Sequence, residues 1–109
     1  MHFKGSLPLL ILHVLAEGPS HGYAIASAIR ERSGEVLAFR EGTLYPTLHG
    51  LEQRGLITAI EEHDADGRVR RRYRLTEAGQ HALAQERVAW RRYSQAVAAV
   101  LGEPVGGTT

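Results

Sequence analysis

Five arginines, Arg68, Arg70, Arg71, Arg72 and Arg74, crowd the short stretch RVRRRYRL. In an extended strand side chains alternate, so Arg68, Arg70, Arg72 and Arg74 share one face, while Val69, Tyr73 and Leu75 share the other with Arg71 near one end. A guanidinium is a planar fork of donors that matches phosphate and carboxylate oxygens. Such a comb can lie along a phosphate backbone or place an arginine in a narrow minor groove. The alternative is a solvated face whose arginines pair with Glu61 and Glu62, an arrangement worth little energy. The neighbouring acids Glu61, Glu62, Asp64 and Asp66 are fewer than the arginines, and the surplus favours an anionic partner.

A second group lies in EGTLYPTLHGLEQRGL, residues 41 to 56. Leu44, Leu48 and Leu51 repeat at helical spacing and Gly55 supplies the stop, which turns Thr43, Tyr45, Thr47 and His49 outward. Short hydroxyls and an aromatic ring near a helix N-terminus suit phosphates and thymine methyl groups. Against that, Tyr45 can pack on a neighbouring element and Thr43 can serve only as a cap. The third group is on a long apolar seam. Leu83, Trp90 and Val97 stand seven apart, and Tyr93 and Val100 form a second seven-residue series.

Catalytic chemistry finds no foothold. The six histidines include no HExxH pair, and DADG places its glycine at the wrong offset for a calcium loop. No phosphate-binding glycine loop or serine elbow is present. His63, Asp64 and Asp66 could hold a metal weakly but read better as a solvated turn. With no cysteine there is no disulfide, thiol switch or cysteine-based zinc site. Neither enzymatic activity nor a metal or cofactor is expected.

The elements that must position these groups follow from the punctuation EGPSHG, RSGE, QRGL and DADG. Helices are predicted at about 5 to 16, 21 to 32 and 42 to 54. Ser20 would cap the second, with Ile25, Ala26 and Ile29 as its buried stripe. The third either starts at a Thr43 cap, leaving Pro46 in the first turn, or starts earlier and loses a hydrogen bond at Pro46. LITAIEEH and RVRRRYRL flank DADG as a hairpin. Thr76 then caps a last helix running to about Leu101, with Glu77 in its first turn.

The chain of 109 residues is one globular unit by size and composition, with 43% hydrophobic residues, 23% charged residues and a net charge of only +1. The apolar run LPLLILHVLA, residues 7 to 16, has the length of a signal-peptide core, but interior Pro8 and His13 suit a buried helix better. A cytoplasmic protein with no membrane contact is expected.

Three helices, a hairpin and a trailing helix form the order of a winged helix-turn-helix: mostly α with a β-hairpin, plus a long C-terminal dimerisation helix. The predicted division is a DNA-binding domain over 1–75, a dimerisation helix over 76–101 and a disordered tail over 102–109. In that fold Thr43, Tyr45, Thr47 and His49 would form the outer face of a helix that enters the major groove.

LLILHVLAEGPSHGYAIASAI, REGTLYPTLHGLEQRGLI and RRRYRLTEAG, with Trp90 downstream, resemble the PadR family of bacterial transcriptional regulators. The likeness covers roughly residues 7 to 101 and is closest to the compact subgroup with a single last helix. It implies a homodimeric repressor, joined through the last helix with help from the first, and release from DNA by a small aromatic compound. It places the recognition pattern on Gly42, Thr43, Leu44, Tyr45 and Pro46 and the basic wing on Arg68 to Arg72. His21, Gly22 and Tyr23 fall near the DNA backbone, and Trp90 falls where drug-sensing members line a cavity between subunits. Trp90 and Tyr93 are thus ligand candidates, and with Leu83, Val97 and Val100 they are also dimer-interface candidates. For Trp90 a plain role in the seam weighs more.

Two departures stand out. Arg40 and Glu41 replace the serine and proline found in many relatives, which obscures the helix cap and adds Arg40 as a phosphate contact. Gly50 inside the helix costs about 1 kcal/mol relative to alanine. The double-stranded partner would be an inverted-repeat operator read in successive major grooves. The rival reading is a winged helix that docks a protein and never touches DNA, and it should show no steep salt dependence.

Overall fold

The computed structural model describes residues 5–104. The element order is α1 (Ser6–Ala16), β1 (Ser20–His21), α2 (Gly22–Arg32), α3 (Glu41–Gln53), β2 (Ile57–His63), β3 (Val69–Leu75) and α4 (Glu77–Leu101). The signal-like run is α1, and it is the centre of the molecule. Leu7, Leu9, Ile11, Leu12, Val14 and Leu15 are all buried, and they cover most of the helix, leaving only the side of His13 and Ala16 toward solvent. α2, α3, β3 and α4 all pack around it. A helix that is apolar over most of its circumference packs at the core.

α3 presents Leu44, Leu48 and Leu51 to that core, each 1–2% exposed. Burying three leucines so completely contributes roughly 1.5–3 kcal/mol apiece. That burial outweighs local propensity at the start of the helix. α3 begins at Glu41 with Arg40 as its N-cap, and no side chain caps it. The earlier of the two predicted starts is therefore the observed one, and Thr43 is not the cap. Pro46 lies inside the helix. Its ring would press on the carbonyl four residues back and leave it without an amide partner. The residue there is Gly42, which is exposed.

The hairpin forms as predicted about DADG, where Gly67 has φ 84° and its N–H bonds to the Asp64 carbonyl at 2.9 Å. It belongs to a three-stranded antiparallel sheet of order β1-β3-β2, however. The added strand β1 pairs Ser20 with Tyr73 and His21 with Arg72. Ser20 is thus a strand residue rather than the cap of α2. That cap is His21, with extended φ and ψ and no capping hydrogen bond from its side chain. On β3, Tyr73 is buried and Leu75 half-buried, whereas Val69 near the tip is exposed.

Thr76 caps α4 as predicted. Its Oγ1 accepts from the Gly79 N–H at 3.0 Å and donates to the Gly55 carbonyl at 2.7 Å. Gly102, at φ 70°, closes the other end in the left-handed conformation that suits glycine. Of the predicted tail, residues 105 to 109 lie outside the described residues. The run with the length of a signal-peptide core forms a largely buried helix in this fold, the reading that Pro8 and His13 favoured. No helix among the described residues is long and apolar enough to cross a membrane.

Candidate nucleic-acid interface

Glu41, Tyr45 and His49 are four residues apart on α3, so they stack on one face, opposite the leucines. All three are exposed. Across a groove of about 550 Å³ stands the wing, and His21, Tyr23, Glu41, Tyr45, Arg68 and Arg70 all contribute to its walls. A second groove of about 360 Å³ continues on the other side of Tyr45, where Tyr23, Arg30 and Arg40 meet. The structure therefore brings together seven of the residues picked from sequence, namely His21, Tyr23, Arg40, Tyr45, Arg68, Arg70 and, through its ion pair with the Glu62 that His21 binds, Arg72.

Tyr45 is held in place by a residue that sequence reading had assigned no packing role. A Cβ built on Gly22 would lie 3.0 Å from both Cε1 and the hydroxyl oxygen of Tyr45. The phenol thus rests against the bare first turn of α2. Tyr45 is still 42% exposed, and Tyr23 beside it is 78% exposed. Thr43 is exposed, but its carbonyl accepts the Thr47 hydroxyl at 2.8 Å. Thr47 is half-buried and its proton is already committed, which leaves only its lone pairs and methyl group for a partner.

The wing arginines are not bare. Arg70 Nε lies 3.0 Å from Asp64, Arg72 lies 3.6 Å from Glu62, and Arg68 lies 3.5 Å from Asp66. The solvated, paired alternative weighed from sequence is thus realised, with Glu62, Asp64 and Asp66 as partners and not Glu61. Among the described residues Arg74 has no ion pair. Glu62 also binds His21 Nε2 at 2.8 Å, which ties β1 to the wing.

Arg71, on the apolar face, straps the wing to α3. Its guanidinium donates to Glu52 at 2.6 Å and lies 5.9 Å from the Tyr73 ring centroid. Burial pushes the Tyr73 phenol above its ordinary pKa, and nearby Arg71 works in the opposite direction. The strap was legible only as an oddity, an arginine on the wrong face of a strand. Glu52 gave no sequence signal at all.

On α4, Leu83 is 6% exposed and belongs to the chain's own core. Its predicted place in a seam between subunits is therefore taken by contacts within the chain. Trp90 packs against the edge of the same core, 5.9 Å from Tyr93 between ring centroids. Beyond it, Tyr93, Val97 and Val100 line a shallow apolar groove of about 270 Å³ with Ala96 and Leu101. No group of three or more metal-ligating side chains occurs among the described residues.

A three-helix core, a hairpin wing and a helix whose leucine face is buried and whose polar face is open define a winged helix-turn-helix protein. Residues 11–85 match the PadR-like family of transcriptional regulators, and the chain belongs to that family. It is a transcriptional regulator by family and not an enzyme. It is 43% identical over 86 residues to a transcriptional regulator of Mycobacterium tuberculosis, a span of 79% of this chain and 77% of that one. A transcriptional regulator from Clostridium thermocellum superposes with a TM-score of 0.80 at 30% identity, covering 86% of this chain and 91% of the other. Bacillus subtilis PadR, solved in complex with operator DNA, superposes with a TM-score of 0.67 at 29% identity, over 72% of this chain and 45% of its own.

Proposed function

We propose that the chain binds double-stranded DNA as a homodimeric repressor on an inverted-repeat operator, with α3 in the major groove and the wing along the backbone. The observation that carries this reading is the open face of α3, Glu41, Tyr45 and His49, set across one groove from Arg68 and Arg70. Tyr45 reaches bases or phosphates from the first turns of the helix. His49 and Thr43 extend the same surface, and Arg40, Arg68, Arg70, Arg72, His21 and Tyr23 hold the sugar-phosphate chain on either side. The complex of Bacillus subtilis PadR with operator DNA supports this use of the fold.

Dimerisation is supported by the apolar surface left open on the far half of α4. Val97 is 39% and Val100 87% exposed. A groove between α1 and α2, lined by Leu10, Val14, Ile29 and Leu37, offers a second apolar surface. A planar aromatic effector would lie against Trp90 and Tyr93 and change the spacing of the two DNA-binding heads. α4 leaves the wing directly at Leu75 and Thr76, so a shift of the helix is passed to the wing. In this reading residues 1–75 form the DNA-binding unit and 76–101 the dimerisation unit.

Fluorescence anisotropy tests the reading, using duplexes from upstream of the chain's own gene and a scrambled duplex across a salt series, with the mass of the complex measured by light scattering. Sequence-preferring binding of two chains per duplex that weakens steeply with salt is the expected outcome. Equal or absent binding to every duplex tried would overturn it.

A further inference from the structure

We infer that Glu41 reads a base: its carboxylate accepts a hydrogen bond from the N4 amino group of a cytosine on the major-groove edge of the half-site. The inference rests on the DNA-binding reading above and assigns a specificity-determining residue within it.

The charge pattern around the two grooves is the starting point. The carboxylates near the arginines are occupied: Glu52 by Arg71, Glu62 by Arg72 and His21, Asp64 by Arg70 and Asp66 by Arg68. Glu61 is unpaired but stands opposite Arg71 in the sheet register and lines neither groove. Glu41 is the one acidic residue that lines both. It is exposed, and among the described residues its carboxylate has no hydrogen bond or ion pair, although Arg30, Arg40, Arg68 and Arg70 border the same two grooves.

A free carboxylate on a surface that meets phosphates is repelled by them. It is compatible with tight binding only where it finds a donor. The major groove offers two, cytosine N4 and adenine N6. Adenine sets its N7 lone pair beside N6, which repels a carboxylate, whereas cytosine presents the amino group without an adjoining acceptor on the same base. Position agrees with this chemistry. Glu41 is the first residue of α3, one turn ahead of Tyr45 on the same face, and the N-terminal residues of a recognition helix are those that reach base edges. A carboxylate there also favours the helix dipole, a role that needs no DNA and must be separated from the first.

The experiment is selection of binding sites from a randomised duplex library by the full chain, followed by affinity measurements on the selected site and its single-base variants. Wild type, Glu41→Ala and Glu41→Gln are compared, each checked for an intact melting transition. Wild type should select a cytosine at one position in each half-site and reject other bases there roughly tenfold or more. Glu41→Ala should lose that preference while the rest of the selected site is kept, and Glu41→Gln should move it toward adenine, which an amide contacts through N6 and N7. Variants that select the wild-type site with the same preference would overturn the inference and leave Glu41 a helix-dipole residue. Glu41→Ala binding every duplex more tightly by one common factor would also overturn it, since repulsion alone does that. A wild type that selects no site at all would instead overturn the DNA-binding reading.

Discussion

Gly22→Ala separates the stability of the fold from the placement of Tyr45, the aromatic side chain on the open face of α3. The added methyl would meet Tyr45 at 3.0 Å from Cε1 and from the hydroxyl oxygen and 3.2 Å from Cζ, a few tenths of an ångström inside ordinary contact. Overpacking of a fully buried site costs about 1–3 kcal/mol. Tyr45 is not such a site, because it is 42% exposed and can swing toward the open groove. Alanine also restricts the unfolded chain, which stabilises by about 0.4–1 kcal/mol where the backbone allows it. The two effects nearly cancel, so stability should change by less than about 1 kcal/mol, a melting shift of only a few degrees. DNA binding should suffer more. A hydrogen bond from the Tyr45 hydroxyl, moved off its acceptor, forfeits about 0.5–1.5 kcal/mol, or roughly two- to tenfold in affinity per half-site. The assay pairs thermal melting by circular dichroism with anisotropy on the selected operator, in wild-type and Tyr45→Ala backgrounds. Once Tyr45 is alanine, Gly22→Ala should have no further effect on affinity. An equal loss in both backgrounds, or none in either, would refute the idea that Gly22 works by seating Tyr45.

Gly79→Ala should be severe, since its Cβ would fall within van der Waals contact of the Leu56 carbonyl oxygen and of Leu75 Cδ1, and the carbonyl also accepts the Thr76 N–H. Denaturant unfolding should show a loss of about 3 kcal/mol or more, and a loss under about 1 kcal/mol would contradict the close approach of α4 to the Leu56 backbone just ahead of β2. Arg71→Ala and Glu52→Ala, in a double-mutant cycle, should couple by about 0.2–1 kcal/mol as a partly exposed pair. Zero coupling would dissolve the strap between wing and α3. For Tyr73 the sign follows from burial: its folded pKa is raised, so the folded state holds the phenol proton more tightly than the unfolded chain. That contribution is complete below the ordinary tyrosine pKa of about 10 and is lost as pH rises through the folded value. Alkaline titration followed by tyrosinate absorbance should show one of the four tyrosines ionising late, together with unfolding, and Tyr73→Phe should remove that step. Ionisation of all four well before unfolding would contradict the burial.

What could be read from sequence was whatever has a local period or a local cap. The leucines of α3, the turn at Gly67, the Thr76 cap and the length of α4 each announce themselves within a few residues. What could not be read depends on partners far away in the chain. β1 is two residues long and exists because Ser20 and His21 meet Tyr73 and Arg72 across the sheet. Gly22 and Gly79 look like ordinary glycines until Tyr45 and Leu56 are seen against them. Leu83 belongs to an apolar stripe in either case, and periodicity says only that the stripe is covered, not by which chain. Pro46 argued for a later helix start, yet the burial of Leu44 draws the helix back to Glu41.

The ion pairs of the wing bear on how a regulator of this kind would discriminate. Five arginines face four carboxylates in the same hairpin, so the wing as a whole carries little net charge. A phosphate approaching Arg68, Arg70 or Arg72 must displace Asp66, Asp64 or Glu62. Each of those pairs is exposed and worth under about 1 kcal/mol, so the exchange is easy, but the released carboxylates stay close and weaken the attraction. Binding to arbitrary DNA is thereby held down, since that binding is almost entirely electrostatic. The discrimination left to the molecule would then come from contacts whose energy depends on the base, which the proposed reading puts on α3. A lone carboxylate at Glu41 fits the same logic, because it adds repulsion at every wrong site and withdraws it only where an amino group stands opposite.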